Sequence, residues 1–270
     1  MSTSSTTASP DTDPALRNLP GHWVLARMGK RVLRPGGREL TSQLLATLNI
    51  SSADDVVEMA PGLGATARLT LARNPASYTA VERDSSATAT VQKLLSQPHQ
   101  RCIIGQAQNT GLPDSSASIV YGEAMLTMHS VAQKTAIVRE AFRLLRPGGR
   151  YGIHEIALTP GNIGEPEKQA VLRDLSDAIR VGVRPQTISE WEEILAAAGF
   201  KTTSYQLRPL HLLEPRRLFQ DEGVWRTLKF FCNTMTHPAA RQRILKMRAA
   251  FRQHAGHLSA IMVVARKPEA

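Results

Sequence analysis

Asp55-Val-Val-Glu-Met-Ala-Pro-Gly-Leu-Gly-Ala-Thr66 is the segment that decides the fold of this chain. Its apolar run, Val56-Val57, ends in an acid, Glu58, and a turn with Gly62 and Gly64 follows. A helix is expected from Ala65, and beyond it a second strand-like run, Tyr78-Thr-Ala-Val81, again ends in an acid, Glu82. Strand, glycine turn, helix, and a strand with a terminal acid make up a nucleotide-binding β-turn-α-β unit. The glycines let the backbone approach a ligand, the helix N-terminus offers free N–H groups, and the second acid can accept two hydrogen bonds from ribose hydroxyls.

Two cofactor classes compete for such a unit. Gly62, Gly64 and Ala67 match the G-x-G-x-x-A spacing of dinucleotide binding, with Glu82 placed for an NAD ribose. Glu58 argues the other way. A carboxylate beside the cradle repels a pyrophosphate, but tolerates the sulfonium and free ammonium of S-adenosylmethionine (SAM), so charge favours SAM.

Two further segments narrow the choice: Gly105-Gln-Ala-Gln-Asn-Thr-Gly-Leu-Pro-Asp-Ser-Ser-Ala-Ser-Ile-Val-Tyr-Gly-Glu-Ala-Met125, and Leu144-Leu-Arg-Pro-Gly-Gly-Arg150. With the first segment they resemble the class I SAM-dependent methyltransferases, in particular the methyltransferase type 11 branch that acts on small molecules. The resemblance spans roughly residues 54 to 158. It implies a Rossmann-like, seven-stranded, mostly parallel α/β sheet with an antiparallel last strand, for which Leu258-Ser-Ala-Ile-Met-Val-Val-Ala265 is suited. It also implies a cofactor site of Glu58, Ala60, Gly62, Gly64, Glu82, Arg83, Gln106, Ala107 and Glu123, with Glu82 on the ribose diol and Gln106 and Ala107 near adenine. The chain departs from the family pattern at Ala60, which replaces a glycine and so calls for a negative φ or a wider turn. Gln106 stands for the usual Asp; an amide can still accept from and donate to adenine.

At 270 residues the chain suits one elaborated domain. Residues 1–20 read as a disordered tail with no secretory signal. Residues 21–50 read as an N-terminal cap, 51–208 as the cofactor core, 209–257 as a basic helical insertion, and 258–270 as the last strand and tail. No run of apolar residues is long enough to span a membrane. The two cysteines, Cys102 and Cys232, have no metal-binding spacing; with the missing signal they point to a reducing, cytoplasmic setting.

Charge is uneven. Residues 51–208 hold 16 basic and 16 acidic residues; residues 21–50 hold five and one, and residues 209–257 nine and three. Basic flanks around a neutral core suggest an anionic partner, or simply a solvated face.

Strands are expected near 55–59, 77–82, 101–105, 118–122, 150–158, 201–208 and 258–266. Helices are expected near 40–48, 65–73, 85–96, 132–146 and 189–198, with another from Glu165 to Arg180. The insertion reads as two helices broken at His237-Pro238. Its Phe219, Trp225, Phe230, Phe231 and Phe251 could stack a flat substrate, pack on the core, or form a homodimer. An RNA substrate is disfavoured, because no Asn-Pro-Pro-Tyr-type motif follows the fourth strand; Tyr121-Gly-Glu-Ala124 stands there.

Methyl transfer needs the nucleophile, methyl and sulfur held in line in a dry pocket, and a base only where the acceptor must lose a proton. Candidates follow the fourth and fifth strands: Glu123 to position cofactor or acceptor, and His129 or His154 as base. No metal is expected. A protein that binds SAM without turnover is the alternative outside catalysis.

Overall fold

The computed structural model describes residues 19–31, 34–210 and 213–269. The tail expected over 1–20 lies outside them except for Leu19 and Pro20. One sheet organises the chain: β1 (Asp55–Met59), β2 (Ser77–Glu82), β3 (Gln100–Ile104), β4 (Ala117–Glu123), β5 (Leu145–Leu158), β6 (Lys201–Pro209) and β7 (Leu258–Arg266) lie in the order β3-β2-β1-β4-β5-β7-β6. The first five strands are mutually parallel, and β7 runs antiparallel to both neighbours. β1 and β2 are buried along almost their whole length, as expected for parallel strands covered on both faces.

The chain steps outward from β1 through β2 to β3, then returns to place β4 on the other side of β1. That reversal opens a crevice beyond the carboxyl ends of β1 and β4, where open α/β sheets bind ligands. Glu58 is the Cα partner of Tyr121, and Met59 of Gly122, so Glu58 and Glu123 both end up at this edge.

The helices are α1 (Gly21–Arg27), α2 (Gly37–Leu48), α3 (Ala65–Leu71), α4 (Ser85–Gln92), α5 (Val131–Leu144), α6 (Glu165–Ile179), α7 (Ile188–Ala196), α8 (Pro215–Glu222), α9 (Val224–Thr236) and α10 (Pro238–Gln253). Their starts are written locally. Ser130 with Gln133, and Thr187 with Glu190, form capping boxes on α5 and α7. Asp84 accepts the Ala87 N–H at the head of α4. One face of the sheet buries Leu40, Leu44, Tyr78 and Tyr121; the other buries Val57, Met59, Ile137 and Trp191.

Three expectations need correction. The insertion holds three helices, because Gly223, at φ +77°, also breaks the chain between α8 and α9. β5 begins at Leu145 and so takes in the Pro-Gly-Gly turn, at the cost of a register shift against β4. Ala60 takes φ +55°, with no negative φ; the left-handed conformation costs a non-glycine residue about 1–2 kcal/mol.

The insertion clasps the N-terminal cap. Asp221 accepts the Arg38 N–H at 3.0 Å, Glu222 accepts the Arg31 N–H at 2.7 Å, and Arg217 donates to the Gly36 carbonyl. Asn233 donates to the Met28 carbonyl at 3.0 Å, and Arg243 to that of Leu19 at 2.7 Å. Basic residues of the insertion are thus partly spent on holding the cap.

Candidate active site

At the crevice lies a cavity of about 950 Å³. It is lined by Glu58, Ala60, Gly62, Glu82, Arg83, Gln106, Ala107, Glu123 and His129 of the sequence-derived set. Gly64 and His154 are not on its wall. Trp23, Leu25, Arg31 and Arg34 of the cap, Ile179 at the end of α6, Val181 and Val183 beyond it, and Met247 and Phe251 of α10 complete it.

Glu58 sits under the turn. Its Oε2 accepts hydrogen bonds from the Tyr78 hydroxyl at 2.5 Å and the Tyr121 hydroxyl at 2.7 Å. Burial pushes its carboxyl up to about 7, against the pull of the two tyrosines. Its negative charge is therefore only partly present near neutral pH, and a cation bound beside it would draw the proton off. The charge argument from sequence thus holds in a conditional form.

Glu123 is the opposite case. Its Oε1 accepts from Thr41 Oγ1 at 2.6 Å and lies 2.6 Å from His154 Nδ1. Its Oε2 takes the Thr66 hydroxyl and faces Arg34 Nη1 at 3.6 Å. Arg34 also donates to Thr66 at 2.6 Å. Burial alone would raise this carboxyl, but Arg34, His154 and Thr41 overcome it and hold it at about 2. Glu123 is thus a fixed negative charge at the base of the cavity, tied to the cap through Arg34.

Glu82 shapes the turn. Its Oε2 accepts the Gly62 N–H at 3.0 Å, and its Oε1 accepts those of Arg83 at 2.8 Å and Asp84 at 3.1 Å. Each carboxylate oxygen has two lone pairs; Oε1 uses both and Oε2 one, so one ligand hydroxyl could be accepted as the site stands, and a second only in place of a backbone N–H. The two turn glycines differ. A Cβ built on Gly62 meets nothing within 4 Å, so a side chain there would enter the open cavity. At Gly64 it would lie 2.6 Å from Leu94 Cδ1, so Gly64 serves helix packing. Gln106 is exposed on the rim and accepts from Gln108 Nε2 at 2.5 Å.

The three histidines near the site are unlike. His129 is half-buried on the cavity wall, and burial lowers its pKa below the ordinary histidine value. His154 is fully buried; its Nδ1 meets Glu123, and its Nε2 has no partner among the described residues. His22, which the sequence did not single out, also lines the cavity, and burial, then Arg83, lower it to about 4. Arg34, Thr41 and Thr66 were missed as site residues too. Their signal was weak: a lone arginine before Pro-Gly-Gly, and threonines within helices.

A nucleoside-bearing cation fits these residues. The backbone is bare at Gly62, a carboxylate with one free acceptor position ends β2, and Glu123, with Glu58 once it ionises, offers negative charge where β4 and β1 end. The methyltransferase-domain family model matches residues 57–153. An uncharacterised protein of Haemophilus influenzae is 34% identical over 219 residues, covering 80% of this chain and 85% of that protein. Among solved structures, phosphoethanolamine N-methyltransferase 2 of Haemonchus contortus, in complex with phosphomonomethylethanolamine and S-adenosylhomocysteine, superposes with a TM-score of 0.69 at 14% identity, over 93% of this chain and 58% of that one. The [4+2]-cyclase SpnF superposes with a TM-score of 0.68 at 17% identity, over 96% and 94%. The domain match falls on the strands that build the crevice, and the likeness to the bacterial relative runs over four fifths of the chain; the chain belongs to the methyltransferase type 11 branch of the class I enzymes, which take their methyl group from SAM.

Proposed function

We propose that this protein methylates a small acceptor with an apolar or aromatic body and an anionic group, bound in the same cavity as the cofactor. One observation carries the reading: a single cavity is walled both by the glycine turn and by Trp23, Leu25, Val183, Met247 and Phe251, with Arg31 and Arg83 among them. At about 950 Å³ it lies near the upper end of ligand pockets, which run to roughly 1,000 Å³, and so has room for two partners.

SAM supplies a methyl group on a positively charged sulfur that is already a good leaving group. The chain's residues do the rest. Glu82 would accept the ribose diol, one hydroxyl at its free Oε2 position and the other in place of a backbone N–H, and Gln106 and Ala107 would flank the adenine. Glu58, Glu123 and Arg34 would face the charged amino-acid end. The apolar walls would exclude water, and the arginines would orient the acceptor's anionic group. Glu82→Ala should weaken S-adenosylhomocysteine binding by about 1–3 kcal/mol in calorimetry; unchanged affinity would remove Glu82 from the site.

His129 is the better-placed base for an acceptor that must lose a proton, since it lines the cavity and His154 does not. Its lowered pKa leaves it neutral at pH 7, and activity should fall as acid protonates it. His129→Gln should lower kcat by about 10²–10⁴-fold and erase that acid limb. A limb that survives the substitution would assign it to another group.

The proposal is tested by thermal shift followed by turnover. S-adenosylhomocysteine should raise the melting temperature and NAD should not. Labelled methyl should then pass from SAM to small anionic aromatic acceptors. Transfer to RNA alone would replace the proposal, and cofactor binding with no transfer to any acceptor would favour a protein that holds SAM without turnover.

A further inference from the structure

Residues 224–253 contain seven Lys and Arg and no Asp or Glu. Arg248 and Arg252 pair with Glu214, and Arg243 donates to the Leu19 carbonyl. Arg226, Lys229, Arg241 and Lys246 are exposed, with no carboxylate within ion-pair distance among the described residues.

The helix α9 presents three sides. One is packed into the protein through Thr227 and Phe230 and fastened by Asn233 to the cap. Another is apolar and in solvent: Trp225 is 86% exposed, Met235 73%, Val224 60% and Leu228 45%. With about 100° between successive residues, these four and exposed Cys232 fall within an arc of roughly 100°; exposed Lys229 lies about 40° beyond its edge, and exposed Arg226 about 100° beyond it, past Asn233. Among the described residues nothing covers this apolar arc, which stands beside exposed cations on a helix whose other side is already buried. It is chemistry addressed to something outside the molecule.

We propose that this face of α9 docks on the surface of an anionic lipid bilayer. Trp225, Leu228 and Met235 would enter the boundary between head groups and acyl chains, where Trp is favoured. Lys229 at the rim, and Arg226 further round by the reach of its long side chain, would meet the anionic head groups. Charge argues against a symmetric second copy, which would set cations against cations. RNA would answer the cations but leave the apolar arc in water. The inference does not depend on which acceptor is methylated.

The test is co-sedimentation of the full chain with vesicles of phosphatidylcholine alone, and of phosphatidylcholine with phosphatidylglycerol in equal parts. The protein should sediment only with the anionic vesicles, less so at high salt. Trp225 emission should shift to the blue, and the shift should vanish in Trp225→Phe. Arg226→Glu with Lys229→Glu should cut partition by about 30-fold, and Leu228→Ser with Met235→Ser should also lower it, with S-adenosylhomocysteine affinity unchanged in both. Failure to sediment, or sedimentation indifferent to both double variants, would overturn the proposal. So would a solution dimer split by Leu228→Glu, or RNA binding as tight as vesicle binding and indifferent to the apolar substitutions.

Discussion

Arg34→Met is expected to lower the free energy of unfolding by about 3–5 kcal/mol, the usual loss when one partner of a buried ion pair is removed. Arg34 is 7% exposed and is the cation nearest Glu123, whose side chain is also 7% exposed. Without Arg34 the carboxylate keeps only Thr41, Thr66 and His154 as partners. Urea denaturation measures the loss, and pH identifies its cause. In the natural chain Glu123 is held at about 2, below the unfolded carboxylate. A depressed pKa contributes stability above the unfolded value, and that contribution is lost as pH falls toward about 2. For Glu123 it amounts to about 3 kcal/mol.

In the variant the carboxyl should titrate at higher pH, because burial is no longer opposed by the guanidinium. The gap between variant and natural chain should therefore be widest near neutral pH and shrink in acid. Adding Glu123→Gln should recover much of the stability. A loss that is the same at every pH would mean that Arg34 acts through packing alone.

The parts of the fold set by backbone chemistry were legible in the sequence. All seven strands were placed, six within a residue and β5 with its start five residues late, because short apolar runs bounded by turn residues recur in alternation with helical stretches. The antiparallel seventh strand followed from the family resemblance, not from spacing. The helix break at Gly223 was missed, since one glycine inside an amphipathic stretch often stays helical. Of the expected site residues, most of those on the glycine turn and at strand ends line the cavity, Gly64 excepted, because motif and position coincide there. Arg34, Thr41 and Thr66 were not foreseen. They reach Glu123 across 57 to 89 positions of sequence, and only the packing of α2 and α3 at the strand ends brings them together. The aromatic residues of the insertion show the same limit. Phe251 lines the cavity, Phe230 is buried and Trp225 stands in solvent, yet all three sit in similar helical sequence.

Gly62→Val and Gly64→Val are expected to fail in opposite ways, although the two glycines sit two residues apart in one turn. Both have positive φ, +55° and +72°, so each Val carries a left-handed penalty of about 1–2 kcal/mol. At Gly62 the added methyl groups would otherwise meet only open cavity. They would take the space beside Glu82 that a bound nucleoside needs. Binding of S-adenosylhomocysteine should fall by roughly 100-fold or more, about 2.7 kcal/mol, while the fold persists. At Gly64 the new side chain meets Leu94 at 2.6 Å from its first carbon, away from the cavity wall. There the larger loss should be stability, with overpacking adding about 1–3 kcal/mol to the backbone penalty. Affinity measured on the folded fraction should change less than at Gly62. Titration calorimetry paired with urea denaturation on both variants separates the two effects. If Gly62→Val bound S-adenosylhomocysteine as tightly as the natural chain, the cofactor would not lie over the turn, and the assignment of Glu82 to its ribose would fall with it.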